Sequence, residues 1–164
     1  MKTYKIPESV LVVIYTSELE VLLIERADTP GFWQSVTGSR ATHEESLFET
    51  AVREVGEETG IRVVSTLLGH DMPENAIMQE NLHDWQMTNR YEIYPAWRHR
   101  FAPGITENTE HVFGLCVPRS MPVILEPREH LQYAWFPYLE AADRCFSSSN
   151  AEAVLQLPRR RLSP

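Results

Sequence analysis

Apolar positions along the chain fall into short, dense runs separated by polar turns. Val10 to Tyr15 reads VLVVIY, a β-branched run that predicts a strand buried on both faces. A polar turn leads to a second run, Val21 to Ile24, so the two are expected to form a hairpin. Asp28-Thr29-Pro30-Gly31 is loop chemistry, and Phe32 to Val36 predicts a short strand ending at Thr37-Gly38. Leu47, Phe48, Ala51, Val52 and Val55 recur at helical spacing, predicting a helix over 44–59 with Gly60 as the left-handed residue past its end. A strand is expected around 61–64. From about 69 to 88 periodicity is weak and polar residues dominate, which predicts an excursion loop holding at most a helical turn. Strands resume at 91–94, 111–117 and 132–136, and helices at 138–144 and 150–157. Ser149 or Asn150 is the expected N-cap of the last helix, and Pro158 its stop. With no repeat and no linker, one α/β domain over 1–157 is the economical organisation, and the basic tail 158–164 is expected to be disordered.

Composition narrows the partners. The 164 residues are 43% hydrophobic, enough for a sizeable core. A net charge of -8 argues against binding a nucleic acid polymer or an anionic membrane, both of which need a basic surface. A small anionic substrate stays compatible with that charge if local cations or metals offset the field. Cys116 and Cys145 lie among apolar or aromatic neighbours without metal-type spacing, so they read as reduced thiols. The first residues lack the apolar core of a signal peptide, and no stretch reaches the ~20 apolar residues of a membrane helix. A cytoplasmic location is expected.

The segment Arg53-Glu54-Val55-Gly56-Glu57-Glu58-Thr59-Gly60-Ile61 changes the picture most. On a helix, Glu57 and Glu58 stand about 60° and 40° to either side of Glu54, so the three carboxylates share one ridge beside the apolar stripe. That is locally unfavourable. Like charges at i,i+4 cost a few tenths of a kcal/mol, anions in a last turn oppose the macrodipole, and Gly56 costs about 1 kcal/mol relative to alanine. A solvated acidic face is the plain alternative. No lysine sits within a turn to relieve the charge, however, and hard divalent cations prefer carboxylate ligands, so a metal site is the stronger reading.

These residues also resemble the signature of the Nudix hydrolases, G-x5-E-x7-R-E-U-x-E-E-x-G-U with U aliphatic. The second half, REVGEETGI from Arg53 to Ile61, matches at every defined position. The first half runs from Gly38 to Glu45, one residue longer than the pattern; Glu45 rather than Glu44 keeps the seven-residue spacing to Arg53. The extra residue then falls among Ser39 to His43. Longer segments, including VLLIERADTPGFWQSVTGS, YEIYPAWRHRFAPGITENTEHVFGL and EHLQYAWF, resemble a bacterial branch of the family. That branch hydrolyses dihydroneopterin triphosphate to the monophosphate and pyrophosphate in folate biosynthesis.

The resemblance implies a Nudix fold, an α/β/α sandwich around a mixed β-sheet, and catalysis with Mg²⁺, for which Mn²⁺ can substitute. It implies metal binding by Glu54 and Glu58, completed by Glu129 from a loop, with Glu57 as a further ligand or an orienter of water. The Gly38 carbonyl is a candidate ligand, and Arg53 belongs to the catalytic motif. Lys5, Arg26, Thr37, the strand Tyr91-Glu92-Ile93-Tyr94 and, more weakly, Ser147 match substrate-contacting positions. The substrate class is a small pterin or nucleoside triphosphate. A housekeeping nucleotide hydrolase and a non-catalytic nucleotide sensor of the same fold are the alternatives, and which glutamate acts as general base stays open.

Arg98-His99-Arg100 is a cationic knot that suits either a structural turn or a phosphate pocket. Trp33, Trp97 and Trp135 suit stacking on a flat ring, although aromatics at strand positions are more often core. The histidines show no HxH or HxxxH spacing, so none is nominated as a ligand. The absence of G-x-S-x-G and of a Walker lysine motif excludes serine hydrolases of that type and P-loop NTPases.

Overall fold

A computed structural model describes residues 2–65 and 72–161. Strand β1 (Glu8–Tyr15) runs through the middle of a mixed sheet, antiparallel to β4 (Val36–Ser39) and parallel to β8 (Glu107–Cys116). Strand β7 (Leu82–Glu92) adds on beyond β8, while β2 (Glu20–Arg26) carries β3 (Trp33–Gln34) and β9 (His130–Pro137). A small parallel pair, β5 (Arg62–Val64) and β6 (Ala76–Met78), stands apart.

The β1–β2 hairpin forms, but its strands pair in register only at Tyr15 and Val21 beside the turn. Beyond that they fork. The segment 33–39 bridges the opening, pairing with β2 through Trp33 and Gln34 and then with β1 through Val36 to Ser39. Thr37 and Gly38 are thereby placed in the cleft of the fork.

Both faces of the sheet are covered, as the expected sandwich requires. On one face Val10, Val12 and Ile14 pack with Phe113 and Leu115 against Ala51 and Val55 of α1 (Leu47–Thr59). On the other, Leu11, Val13, Tyr15 and Val112 meet α2 (Tyr138–Arg144), α3 (Ser148–Leu155) and α4 (Leu157–Arg160). The alternation of β1 between two apolar layers explains why its sequence is apolar without interruption.

Helix α1 starts later than the spacing predicts. Ser46 caps it, accepting from the Glu49 N–H while the Glu49 carboxylate accepts from the Ser46 N–H. It ends as expected at Gly60, whose φ of 74° is the left-handed conformation glycine adopts without a steric penalty.

Three expectations are corrected. Residues 82–88 belong to the long strand β7, not to a loop; residues 69–71 of that expected loop lie outside the described residues. Alternation fails there because a bulge lies between Asp84 and Met87, with Gln86 at φ 57° and its N–H bonded to the Asp84 carboxylate. Ser147, two residues before Ser149, caps α3 by accepting from the Asn150 N–H at 3.2 Å. Pro158 does not end the helical stretch, nor are 158–160 without structure. Proline sits in the first turn of α4, where a missing N–H costs nothing, and Arg160 donates to the Trp85 carbonyl at 2.8 Å. No helix among the described residues is long and apolar enough to cross a membrane.

Gly114 of β8 lies flat under Trp85, which is only 3% exposed. A Cβ at position 114 would stand 2.3 Å from the indole ring, and a rigid buried ring cannot swing away. Gly114→Ala is therefore expected to lower stability by about 1–3 kcal/mol. Urea unfolding checks this, and an unchanged midpoint would mean that the β7–β8 pair repacks freely.

Candidate active site

Glu58 lies at the centre of the site. It occupies the last turn of α1, is 5% exposed, and points into the sheet fork, where the Thr37 N–H donates to Oε2 at 3.2 Å. From the opposite side come Glu129, just before β9, and His130, its first residue. One ligand atom from each of Glu58, Glu129 and His130 falls within 4.8 Å of the others. His130 Nε2 is 4.0 Å from Glu58 Oε1, and His130 Nδ1 is buried with no hydrogen-bond partner among the described residues. Burial, more than the neighbouring Glu54 and Glu129 charges, pushes the Glu58 carboxyl well above its ordinary pKa. His130 is pushed below its ordinary value, first by burial and then by Arg26.

One turn earlier, Glu54 lies against the backbone of Gly38. A Cβ built on Gly38 would stand 2.0 Å from Glu54 Cδ, so glycine is the residue that leaves room for this carboxylate. Burial raises the Glu54 pKa, with Arg53 opposing.

Arg53 is a clamp. Nε and Nη2 donate to the two oxygens of Glu45 at 2.9 and 3.0 Å, and Nη2 also to the Ser39 carbonyl at 2.9 Å. Nη1 donates to Glu54 Oε1 at 2.8 Å and to Glu57 Oε2 at 3.2 Å. These bonds occupy all five N–H groups of the guanidinium. The Glu45 carboxyl is held down at about 2, chiefly by Arg53. The loop with the extra residue closes compactly: Arg40 donates to the Glu45 and His43 carbonyls and to the Glu8 carboxylate. The helix charges are thus less opposed than the missing lysine suggested, because Arg53 itself relieves them.

A cationic rim faces these acids. Lys5 forms an isolated β-bridge with Phe101, its N–H bonded to the Arg100 carbonyl, and its ammonium lies within Coulombic reach of Glu54 and Glu129. Burial first, then Arg100, lowers the Lys5 pKa. Arg26 makes a paired contact with Asp28 at 2.7 and 2.5 Å, and both Arg26 and Arg100 lie over the Trp97 ring. Arg98, by contrast, is used structurally, donating to the Ile93 carbonyl.

A family model described as the NUDIX domain matches residues 5–157. The chain belongs to the Nudix family. It is 42% identical over 156 residues to the dihydroneopterin triphosphate diphosphatase of Escherichia coli (strain K12), covering 94% of each chain. It is 37% identical to the protein of the same name from Haemophilus influenzae, over 94% of this chain and 89% of the relative. The solved E. coli dihydroneopterin triphosphate pyrophosphohydrolase superposes with a TM-score of 0.77 at 41% identity, covering 94% of this chain and 97% of that one. The mixed sheet between helical layers is therefore the Nudix fold. Nudix hydrolases use a divalent metal, and the Glu58 cluster offers a donor set of that kind.

Other expected residues of this Nudix chain are not part of the Glu58–Glu129–His130 group. Glu57 is exposed and held by Arg53, outside the Glu58–Glu129–His130 group. Tyr91 turns its hydroxyl to Asn108, Ile93 is buried, and Tyr94 stacks edge-on with Trp97 at 5.3 Å. Glu92 is paired with Glu107 at the end of β7. Trp33 packs edge-on against Phe136, and Trp135 packs against the α1-side core, with Arg119 over its ring. His130 was invisible as a site residue in the sequence. Only its acidic neighbour Glu129 hinted at it.

Proposed function

We propose that this Nudix hydrolase cleaves dihydroneopterin triphosphate to dihydroneopterin monophosphate and pyrophosphate with Mg²⁺ as cofactor, acting in the cytoplasm. The observation that carries the reading is the buried Glu58 carboxylate, joined by Glu129 and Glu54 in the sheet fork of a chain 42% identical to diphosphatases of that name.

The residues fit a hard divalent cation. Glu54, Glu58 and Glu129 would hold it, presenting carboxylate oxygens of the kind Mg²⁺ and Mn²⁺ prefer. When bound, it supplies charge neutralisation for the phosphates and polarisation of a water. Glu54 and Glu58, both raised by burial, are costly to ionise beside Glu129 without a counter-charge, which is the physical reason to expect one here.

The remaining work is positioning. Lys5 and Arg100 present positive charge to phosphate oxygens, and Arg26 joins them if its Asp28 partner gives way. Arg53 fixes Glu54 and the 39–45 loop and has no N–H left for substrate, so its part is to position. Water oxygen bonds to phosphorus, the P–O bond between the first and second phosphoryl groups breaks, and a carboxylate of the cluster takes the water proton.

The test is pyrophosphate release from dihydroneopterin triphosphate with and without Mg²⁺, beside the common nucleoside triphosphates. Metal-dependent release with the highest kcat/KM on the pterin is expected. Release from nucleotides alone would keep the hydrolase and defeat the substrate.

A further inference from the structure

The face of the sheet away from α1 is apolar along most of its length, but a polar patch interrupts it. Register places Ser39, Ser9, Glu110 and Asn89 side by side across β4, β1, β8 and β7. Asn108 lies one step along on β8, opposite Tyr91, and the capped start of α3 brings Ser149 over Glu110. Glu110 and Asn108 form the floor at 5% and 4% exposure, while Asn89, Tyr91 and Ser149 at the rim reach solvent.

The floor is poorly satisfied. Both donors to Glu110 fall on Oε1, Ser149 Oγ at 3.2 Å and Asn89 Nδ2 at 3.5 Å. Charge-assisted bonds to a carboxylate normally close to about 2.7–2.9 Å, so these are weak stand-ins. Neither is a cation, and burial holds the Glu110 pKa above its ordinary value. Asn108 spends its amide N–H groups on Ser9 Oγ at 2.8 Å and the Tyr91 hydroxyl at 2.9 Å, while its Oδ1 is buried with no partner among the described residues. A buried acceptor left unmade is destabilising, and so is a buried carboxylate with no charged partner among the described residues.

Two acceptors on one floor call for a ligand with adjacent N–H donors. Glu110 is two interstrand steps from β4, roughly 10 Å, and β4 carries the Thr37 N–H that meets Glu58. We propose that Glu110, with Asn108 beside it, is the specificity-determining residue. Its carboxylate accepts the ring N–H and exocyclic amino group of a 2-amino-4-oxo pyrimidine ring, displacing Ser149 and Asn89. That edge is shared by pterins and guanine and is lacking in adenine and cytosine. The inference rests on reading the chain as a triphosphate hydrolase.

Glu110→Gln keeps the size of the side chain and replaces one acceptor by a donor that opposes the ligand. With Mg²⁺, kcat/KM is measured for dihydroneopterin triphosphate, dGTP, dATP and dCTP. About 100-fold losses are expected for the first two, and less than threefold changes for dATP and dCTP. Comparing the first two separates pterin from guanine as the natural source of the edge. A parallel loss on all four, or no loss on a pterin that wild type cleaves, overturns the proposal. Metal-free calorimetric titration with neopterin and guanosine, against adenosine, is expected to show weakened binding of only the first two. If the variant does not fold, wild type decides: failure to bind neopterin and guanosine above adenosine overturns the proposal. A wild type that cleaves dGTP but not the pterin defeats the substrate proposed above and leaves the role of Glu110 standing on the dGTP to dATP ratio.

Discussion

Glu58→Gln is expected to lower turnover by about 10³-fold, equivalent to ~4 kcal/mol of transition-state stabilisation, and to weaken Mg²⁺ binding while the fold persists. Glu58 is the most buried of the α1 acids and the one that meets Glu129 and His130. Glutamine keeps its volume and can still accept from the Thr37 N–H. What it removes is the charge that a divalent cation needs. Stability should move the other way. An acid whose pKa is raised in the fold is harder to ionise there than in the unfolded chain. Its ionisation therefore opposes folding as pH rises, and below the ordinary glutamate pKa the opposition disappears. Metal-free Glu58→Gln should melt above metal-free wild type at pH 8, with the gap closing as pH falls into the ordinary carboxylate range. Single-turnover assays, Mg²⁺ titration and melting curves at two pH values check both halves. Near-normal turnover with unchanged Mg²⁺ affinity would remove Glu58 from the metal site.

Gly38→Ala should separate activity from stability in a different way. The new methyl group would overlap the Glu54 carboxylate, with Cδ at 2.0 Å and Oε1 at 2.1 Å. That carboxylate is the far end of a flexible side chain and can swing aside, and alanine suits an extended strand at least as well as glycine. The melting point should barely change. Glu54 would lose its bond from Arg53 and its place beside the fork, lowering kcat by about 100-fold, the cost expected for displacing one electrostatic group at a reacting centre. The contrast is Gly114→Ala, where the obstructing group is a rigid buried ring and the loss falls on stability. Parallel measurements of kcat and thermal midpoint check the prediction. Wild-type kcat in Gly38→Ala would mean that the observed position of Glu54 is not used in turnover.

How far the sequence carries depends on the range over which each feature is determined. The β1 run, α1 with its Gly60 terminus and the helix at 138–144 are local patterns and were legible as such. The choice of Glu45 over Glu44 was also local, a matter of helical register, and Arg53 does bond Glu45. Strand β7 was hidden because its bulge breaks the period of two on which strand reading depends. His130 was hidden because the spacing of histidines along the chain says nothing about Glu58, which is 72 positions away and meets it only through the fold. The Glu110 floor was hidden for the same reason: its partners come from β7, α3 and β1. In β8 its alternation with Thr109 and His111 looks like an ordinary half-solvated strand.

The double anchoring of the 40–45 segment bears on how this family varies. Arg40 grips Glu8 and the carbonyls of His43 and Glu45, while Arg53 grips Ser39 and the Glu45 carboxylate. A length change at positions 41–42 thus falls between fixed posts and need not travel into the helix that follows. A lineage can lengthen this stretch by a residue without resetting the acids behind it, which makes it a tolerant place for insertion and a natural point to graft new sequence.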